Sequence, residues 1–352
     1  MKRNSQAKVF VAMSGGVDSS VSAYLLKKQG HDVTGVHLTC WNEGGCSDKE
    51  ECDARRAAET LKIPFYVFDL RKDYADRVVG YMVDGYKRGI TPNPDVMCNR
   101  EIKFGAFLKR ALSMGADYIA TGHYARLKVK NGTHSIYAGK DRNKDQSYFL
   151  WALNQEQLKR VIFPVGELLK PAVRKIARKA GLHVADKKDS QGICFVGKTT
   201  LPAFLGRYLK EKKGLVLDAE GKVVGSHPGA YFYTIGQRHG LGIALSQPHY
   251  VIHKDVKRNT IVLAGENDKR LYGWEVYLGG LNLNPDFKFP ANVRARVRYR
   301  QTLQDARAFH DKGECKLVFS KPVKFIAPGQ SAVFYNTQGR LLGGGIILDR
   351  EA

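Results

Sequence analysis

The sequence predicts an α/β protein that begins with a doubly wound parallel sheet and continues into β-rich segments. Between Lys8 and Ala180, short apolar runs alternate with amphipathic segments of helical periodicity, which is the pattern of a parallel sheet covered by helices. A glycine-rich turn follows the first apolar run. Beyond Gly197, short alternating runs broken by glycines replace the helical periodicity, which predicts a change to β-structure.

The first strand, turn and helix are typical of a phosphate-binding arrangement. Residues 8–13 (KVFVAM) predict a short buried strand, residues 14–20 (SGGVDSS) a turn, and Val21–Lys28 a helix closed by Gly30. Glycines let backbone N–H groups approach an anion, and the helix dipole favours negative charge there. The serines add hydroxyl donors, and Asp18 adds a carboxylate that can reach a nucleotide-bound Mg²⁺. The stretch is neither a Walker A loop nor G-x-G-x-x-G, and an ordinary serine-capped glycine turn is the alternative.

The remaining elements of the first part continue the alternation. A polar loop is predicted at 41–51, with Asp53 as the N-cap of the helix that follows it. The further strands are predicted at 32–38, 64–70 and 117–121, and the further helices at 53–61, 73–87 and 102–114. Because ligands bind at the carboxyl ends of parallel strands, the loops after Met13, Leu38, Leu70 and Thr121 are expected to share one crevice.

Three segments near these loops carry chemically active residues. Residues 91–100 (TPNPDVMCNR) form a segment, rigidified by two prolines, that presents Asp95 and Cys98 ahead of a helix. A cysteine near a helix N-terminus is expected to have a lowered thiol pKa. Residues 122–124 (GHY) follow the fourth strand, and residues 144–148 (KDQSY) open another run of helical character.

The charge of the chain favours a polyanionic partner. There are 57 Lys and Arg residues against 34 Asp and Glu, a net charge of +23, which is typical of nucleic-acid binders. A helix at 170–180 is predicted to direct Arg174, Lys175 and Arg178 outward, either as a solvated face or toward phosphates. In a strand at 293–299, period-two alternation places Arg294, Arg296, Arg298 and Arg300 on one face, which predicts contact with RNA.

The cysteines and the N-terminus indicate a cytoplasmic protein. Six cysteines in a chain of this size are expected to be reduced. Cys40, Cys46 and Cys52 lack a standard zinc spacing, so no metal site and no role is assigned to them, with a cluster or zinc as the alternative. The apolar run after Lys2 and Arg3 is too short for a signal peptide, and no stretch is long enough to span a membrane.

Eight motifs occur in one order along nearly the whole chain: SGGVDSS, TPNPDVMCNREIKF, ATGHYAR, KDQSYFL, DSQGICFV, YTIGQRHGLG, VRYRQ and PGQSAVFY…GGGII. With them the chain resembles the tRNA-specific 2-thiouridylase family (MnmA or TrmU), which are PP-loop ATP pyrophosphatases. The resemblance implies a catalytic domain of the adenine nucleotide alpha hydrolase type at 1–200. A central β-rich domain at 201–269 and a C-terminal β-barrel at 270–352 would follow it.

The resemblance also implies the reaction, which is transfer of sulfur to C2 of the wobble uridine of tRNA. ATP with Mg²⁺ is a substrate that adenylates the base and releases pyrophosphate, and no permanently bound cofactor is expected. The family carries the sulfur as a persulfide on the cysteine that corresponds to Cys194. The terminal sulfur either attacks C2 directly or is released as hydrosulfide by Cys98, with formation of a Cys98–Cys194 disulfide, and Asp95 is the candidate base. The implied partners are the anticodon loop of tRNA and a persulfide carrier protein or cysteine desulfurase.

The site residues implied by the resemblance form three groups. The ATP contacts are Ala12, Met13, Ser14, Gly15, Gly16, Val17, Asp18, Ser19, Leu38 (often Met in the family) and Gly122. The target base, flipped out of the anticodon stack, is contacted by Asn93, Pro94 and Asp95. The other tRNA contacts are His123, Lys144, Asp145, Gln146, Arg298, Tyr299 and Gln330.

Two other functions fit part of the sequence. A PP-loop ligase acting on a small molecule, such as an argininosuccinate or NAD synthetase, would keep SGGVDSS but would not need Cys98, Cys194 or the arginine strand. A non-catalytic RNA-binding protein on a PP-loop scaffold would tolerate loss of Asp18, Cys98 or Cys194. All three residues are present, which favours the sulfur-transferring enzyme.

Overall fold

A computed structural model of the chain describes residues 6–41, 46–189, 200–243, 247–311 and 313–349, with the backbone alone at 46–48. The chain divides into two compact units. The first comprises residues 1–78, 95–198 and 339–341, and the second comprises residues 79–94, 199–338 and 342–352. One boundary therefore falls between Pro94 and Asp95, inside the predicted segment 91–100.

The elements of the N-terminal part alternate as predicted. The strands are β1 (Lys8–Ala12), β2 (Asp32–Thr39), β3 (Phe65–Asp69), β4 (Tyr118–Ala120), β5 (Ala125–Lys130), β6 (Thr133–Ala138) and β7 (Val161–Ile162). The α-helices are α1 (Val17–Lys28), α2 (Cys46–Leu61), α3 (Arg71–Tyr74), α4 (Gly80–Lys87), α5 (Pro94–Met97), α6 (Phe107–Ser113), α7 (Gln155–Leu158) and α8 (Lys170–Lys179). Ala75–Val79 and Cys98–Ala106 are π-helical, and Ser147–Leu150 and His183–Asp186 are 3₁₀-helical.

The predicted parallel sheet is confirmed. Within the described residues, five strands pair in parallel in the order β3-β2-β1-β4-β7. Val9 and Val11 of β1 pack against Val21 of α1 and Val173 of α8 in one buried cluster. Each such fully buried side chain contributes about 1.5–3 kcal/mol to stability, so this cluster fixes α1 and α8 against the sheet. Strand β7 and the β5–β6 hairpin were not predicted from the sequence.

Helix α2 corrects one prediction. It begins at Cys46, inside the predicted polar loop 41–51, so Asp53 lies within the helix and is not its N-cap. Its first turns lack an apolar stripe, but Glu51 pairs with Arg55 at 2.7 Å one turn later, an interaction that supports a solvent-facing helix.

A second correction concerns the segment that holds Asp95 and Cys98. Pro94 begins a helical stretch that runs through α5, the π-helical turns Cys98–Ala106 and α6 without a break. Proline suits the first position of a helix, because its fixed φ is helical and its missing N–H is not needed there. Asp95 and Cys98 therefore lie in the first turns of a helix and not in a loop ahead of it.

The second unit holds a small helix, a four-stranded sheet and a barrel, in agreement with the predicted β-rich continuation. Helix α9 (Leu201–Leu205) precedes the sheet of β8 (Gly214–Leu217), β9 (Val223–His227), β10 (His249–Asp255) and β11 (Thr260–Gly265), in the order β10-β11-β8-β9. Short 3₁₀ turns lie at Ala230–Phe232 and Lys269–Leu271. The closed barrel is formed by β12 (Tyr272–Leu283), β13 (Ala291–Arg296), β14 (Gln304–Asp311), β15 (Glu314–Lys324), β16 (Ser331–Tyr335) and β17 (Leu341–Ile347).

The arginine strand is shorter than predicted. Strand β13 ends at Arg296, and Val293 and Ala295 face the barrel interior while Arg294 and Arg296 do not. Arg298 and Arg300 follow in a turn, where Arg300 has a φ of 70°. The four arginines therefore do not share one strand face, because the backbone turns after the second of them.

None of the helices in the described ranges combines the length and the apolar composition that a bilayer span requires.

Candidate active site

The turn between β1 and α1 has the backbone that its glycines predict. Gly15 has a φ of 68°, and a Cβ at this position would collide with the backbone carbonyl of Glu50 in α2. Only glycine fits such a position without strain. Helix α1 begins at Val17, four positions earlier than predicted, so Asp18 and Ser19 lie in its first turn.

Serine hydroxyls hold this turn in shape. The N–H of Ser14 donates to Ser19 Oγ at 3.2 Å, and the hydroxyls of Ser19 and Ser20 donate to the Gly16 carbonyl at 3.2 and 2.9 Å. Ser19 and Ser20 are buried, whereas Ser14 is exposed. The first N–H groups of a helix have no acceptor within the helix, so a turn built in this way is suited to bind an anion at the helix N-terminus.

Gly122, at the end of β4, lies against the same turn. A Cβ on Gly122 would be 2.7 Å from the backbone nitrogen of Ser19 and 2.9 Å from the carbonyl carbon of Asp18. These are distances that real Cβ atoms essentially never show. The loop after β4 therefore approaches the first turn of α1 so closely that only glycine fits, as expected of neighbouring loops at the carboxyl edge.

Asp18 is held by two groups that the sequence did not single out. The ammonium of Lys170 lies 2.7 and 2.8 Å from the two carboxylate oxygens of Asp18, and the Tyr124 hydroxyl donates to Oδ1 at 2.8 Å. The Lys170 side chain is only 9 % exposed. Burial and the Asp18 carboxylate raise the pKa of Tyr124, so its hydroxyl stays protonated and donates.

Asp189 gathers three cations. Its carboxylate lies 2.7 Å from the Lys170 ammonium, 2.6 Å from the Lys144 ammonium and 3.2 Å from the Arg174 guanidinium. Burial acts to raise the pKa of Asp189, but the hydrogen bonds from Lys144 and Lys170 outweigh it and keep the pKa below its ordinary value. Asp189 therefore remains an anion that links Lys144 to the pair of Lys170 and Asp18.

Arg174 corrects the predicted outward face of α8. Besides contacting Asp189, it donates to the carbonyls of Ala185 and Lys187 at 2.6 and 2.9 Å, and its side chain is 22 % exposed. It fixes the segment that leads to Asp189. Arg178 is exposed and pairs with Asp186 at 2.7 Å.

A further lysine reaches the glycine turn. Lys187 donates to the Gly15 carbonyl at 2.9 Å and pairs with Asp53 of α2 at 2.6 Å. Burial acts to raise the pKa of Asp53, but the hydrogen bonds from Lys187 and His183 outweigh it, and the pKa lies below its usual value.

The sequence interpretation missed four features of this site: Lys170, Tyr124, Lys187 and the role of Asp189. Proline is favoured at the start of a helix, and helix N-termini lie at the carboxyl edge of such a sheet. Pro171 was therefore the signal in the sequence that could have placed Lys170 near the site.

Cys98 and Asp95 lie at the start of the helical stretch that packs beside β4. Cys98 is 7 % exposed and begins the π-helical turns Cys98–Ala106, a backbone form that is frequent at functional sites. Burial raises the pKa of Asp95, and the charge of Lys103 offsets this only in part. A carboxylate with a raised pKa is a better proton acceptor near neutral pH, and the assignment of Asp95 as a base stays a prediction.

His123 lies inside the first unit. Its Nδ1 is 2.6 Å from the Thr121 hydroxyl, and its ring packs against Phe104 at 5.8 Å and Phe163 at 6.2 Å between centroids. Burial, with the charge of Lys103, holds the pKa of His123 well below its ordinary value. His123 is therefore neutral, and its position is that of a support beneath the loop after β4.

The neighbouring candidate tRNA contacts divide into two supports and one partly exposed lysine. Asp145 is buried and accepts the N–H groups of Gly139 and Ser147 at 3.0 Å each. Gln146 accepts the N–H of Tyr124 at 3.0 Å. The side chain of Lys144 is 40 % exposed, and its ammonium pairs with Asp189 at 2.6 Å.

Within the second unit, Gln330 positions the backbone ahead of Asn93. Its amide donates to the carbonyls of Thr91 and Pro92 at 3.0 and 3.2 Å, and Asn93 and Pro94 are buried. Arg298 is half-buried, donates to the Ile235 carbonyl and lies over the Phe325 ring at 5.5 Å. Tyr299 is half-buried beside the Arg300 guanidinium.

The remaining candidates lie at the ends of the first two strands. Ala12 and Leu38 are half-buried and Met13 is buried, while the Met13 carbonyl contacts His37 Nδ1 at 3.0 Å. Cys194 lies outside the described residues. In the part of the chain that the structure describes, no three His, Cys, Asp or Glu side chains are grouped to hold a metal ion.

Comparison with known proteins identifies three matching family models. The model described as the tRNA methyl transferase HUP domain matches residues 7–198. The tRNA methyl transferase PRC-barrel domain matches residues 202–265, and the aminomethyltransferase beta-barrel domain matches residues 281–347.

Full-length relatives are similar over nearly the whole chain. A protein of Listeria monocytogenes named tRNA-specific 2-thiouridylase MnmA is 46% identical, covering 98% of this chain and 95% of that protein. A protein of the same name from Alkaliphilus oremlandii is 44% identical and covers 99% of each chain. A solved 4-thiouridine synthetase–RNA complex with bound ATP is 18% identical with a TM-score of 0.34, over 57% of this chain and 49% of that chain. With so low a TM-score, that likeness carries no argument.

Proposed function

This chain belongs to the tRNA-specific 2-thiouridylase family, and we propose that it transfers sulfur to C2 of the wobble uridine of tRNA at the expense of ATP. The observation that carries the proposal is the glycine turn with Asp18 in the same unit as Asp95 and Cys98. The turn supplies an anion site for ATP, and the helix that begins at Pro94 carries a carboxylate of raised pKa and, three residues later, a thiol. A small-molecule ligase would need the first of these features but not the second.

In the activation step, the C2 oxygen of the uridine attacks the α-phosphorus of ATP. The bond from that phosphorus to the α,β-bridging oxygen breaks, and its electron pair leaves on pyrophosphate, while the base gives up its N3 proton. The N-terminal N–H groups of α1 are suited to hold the phosphates, because they need an acceptor and the dipole there favours an anion. Gly122 supports this role by closing one side of the turn without a side chain.

Mg²⁺ enters this step as part of the ATP substrate. Among the described residues, Asp18 places a carboxylate in the first turn of α1, directly after the glycine turn, and no cluster of three acidic, histidine or cysteine side chains is found. Mg²⁺ usually binds through one or two carboxylates together with substrate phosphates. Asp18 therefore fits such an ion only if phosphate oxygens complete the coordination.

In the sulfur step, the terminal sulfur of a persulfide on Cys194 attacks C2, and AMP leaves with the electron pair of the C2–O bond. The Cys98 thiolate then attacks the Cys194 sulfur, the S–S bond to the base breaks, and 2-thiouridine is released with a Cys98–Cys194 disulfide. Alternatively, Cys98 attacks the persulfide first and liberates hydrosulfide, which attacks C2. Both routes require a persulfide donor to load Cys194 and a thiol reductant to reopen the disulfide. Asp95 accepts the proton that Cys98 loses.

Recognition of tRNA is supported by charge and by one partly exposed lysine. The net charge of +23 favours association with a polyanion, and the Lys144 side chain is 40 % exposed. His123, Asp145 and Gln146 would contribute by fixing the loop around Lys144, since each is engaged within the first unit.

The test is replacement of the two cysteines with a matched third. With tRNA, ATP, Mg²⁺, a persulfide donor and a thiol reductant, the wild-type chain and Cys315→Ser are expected to produce 2-thiouridine. Cys194→Ser and Cys98→Ser are expected to give none while binding tRNA normally. Cys315 is a suitable control because it is a buried barrel residue. Full turnover by Cys194→Ser would overturn the persulfide role, and AMP formation on a small amine without tRNA would favour a small-molecule ligase.

A further inference from the structure

Lys170 is a buried cation that contacts Asp18 next to the glycine turn, and the proposed reaction steps do not use it. It is the first residue of α8, and Pro171 fixes the start of that helix. Its backbone N–H donates to Asp141 Oδ2 at 2.9 Å. Its ammonium lies between two carboxylates, with Asp18 at 2.7 Å on one side and Asp189 at 2.7 Å on the other.

The two carboxylates differ in their surroundings. Asp18 belongs to the turn and is the group suited to a phosphate-bound Mg²⁺, so it has an alternative cation in the nucleotide complex. Asp189 lies in the segment that follows α8. Arg174 of α8 contacts its carboxylate and also donates to the Ala185 and Lys187 carbonyls. Asp189 can therefore keep the Lys170 ammonium in place when Asp18 turns toward a bound metal ion.

A purely structural salt bridge explains this arrangement less well. A buried ion pair contributes little net stability relative to apolar residues, because the cost of desolvation offsets the attraction. Three anchors nevertheless hold Lys170 beside the helix N-terminus where phosphate would bind: the helix start, Asp141 and Asp189. A cation fixed before the reaction at a place where negative charge develops stabilises the transition state without reorganisation.

We propose that Lys170 is a catalytic residue that neutralises the leaving pyrophosphate, with Asp189 as the positioning residue that holds it there. The inference rests on the proposed function, because it assigns Lys170 to the activation step. As the bond between the α-phosphorus and the bridging oxygen breaks, the electron pair moves onto pyrophosphate, and the Lys170 ammonium compensates that charge. Lys170 keeps its proton throughout, so its part in the step is electrostatic.

The experiment measures pyrophosphate release in a single turnover with tRNA, ATP and Mg²⁺, using the full chain. Lys170→Met is expected to slow release by about 10²–10³-fold, the loss seen when one preorganised donor to a developing oxyanion is removed. The inhibition constant of added pyrophosphate is expected to rise at least about tenfold, because the product contact is lost as well. Lys179→Met is the matched control, an exposed lysine of the same helix, and should behave as wild type.

Melting temperature and tRNA binding separate chemistry from folding. In Lys170→Met, Asp18 loses its lysine partner, whereas Asp189 keeps Lys144 and Arg174. Release is therefore compared below the melting transition of each protein and at saturating tRNA, and a folded, tRNA-binding Lys170→Met protein that releases pyrophosphate within threefold of wild type would overturn the proposal. Asp189→Asn leaves Lys170 paired with Asp18 and is expected to slow release by less than Lys170→Met does, whereas wild-type release by Asp189→Asn would overturn the positioning role. If wild type itself released no pyrophosphate with tRNA, the proposed function would fail first.

Discussion

Replacing Gly122 by alanine tests whether the loop after β4 fixes the glycine turn between β1 and α1. The new Cβ would lie 2.7 Å from the Ser19 nitrogen and 2.9 Å from the Asp18 carbonyl carbon, both of them backbone atoms that cannot rotate away. Ordinary contact begins near 3.4 Å, so the first turn of α1 must move by roughly 0.7 Å to restore normal separation. Overpacking of this kind costs about 1–3 kcal/mol of unfolding free energy, and a displacement near 1 Å in a reacting site costs about 100-fold in rate.

The assay is AMP formation in the presence of tRNA, with the melting temperature measured on the same samples. Gly122→Ala is expected to lower kcat/KM for ATP by about 100-fold and to lower the melting temperature. Gly265→Ala is the control, because a Cβ there meets nothing within 4 Å, and it should change stability by no more than about 0.5 kcal/mol. A Gly122→Ala protein with wild-type kinetics and melting temperature would refute the close approach on which the site depends.

Three further predictions follow from burial and charge. Iodoacetamide at pH 8 should label exposed Cys52 but not Cys315 in the native protein, because burial raises the pKa of the Cys315 thiol to about 12; mass spectrometry that found native Cys315 labelled would contradict this. Burial lowers the pKa of His123. The neutral ring therefore contributes its full share to the free energy of unfolding above the unfolded pKa of about 6.5, and this contribution is lost as the pH falls. Urea midpoints between pH 5 and 7.5 should therefore depend less on pH in His123→Asn, and an unaltered pH dependence would count against a buried neutral ring. Arg298→Gln should reduce the salt slope of tRNA binding by about one if its guanidinium meets a phosphate, and an unchanged slope would place it off the interface.

Local sequence signals were sufficient for the turn and for the sheet around it. The alternation of β-branched runs and amphipathic segments predicted β1 to β4, and two glycines next to serines predicted the turn between β1 and α1. These signals are local because a strand, a turn and a helix start each depend on a few adjacent residues. Glycine is required at position 15 because φ is positive there, and at position 122 because a Cβ would collide with the first turn of α1.

The partners of Asp18 could not be found in the same way. Lys170 is 152 positions away along the chain and Tyr124 is 106 positions away, so no local pattern connects them to the turn. Only the placement of α8 against α1 and the sheet brings the ammonium to the carboxylate. The outward direction predicted for Arg174 was wrong for the same reason, since its acceptors belong to the segment after the helix.

The arginine run shows a different limit. Period-two alternation correctly predicts that Arg294 and Arg296 point away from the apolar residues of β13, but it gives no signal for where the strand ends. The turn that places Arg300 at a φ of 70° breaks the pattern. The assignment of Arg298 and Tyr299 to tRNA, and the division into three domains at 200 and 269, stay predictions.

The most direct measurement of the central claim is mass spectrometry of nucleosides from tRNA incubated with the purified chain. With ATP, Mg²⁺, a persulfide donor and a thiol reductant, one 2-thiouridine per tRNA is expected at the wobble position, together with one AMP and one pyrophosphate. Omission of ATP should abolish the product, and so should Asp18→Asn. Formation of 2-thiouridine without ATP, or AMP without any thiolated tRNA, would contradict the account.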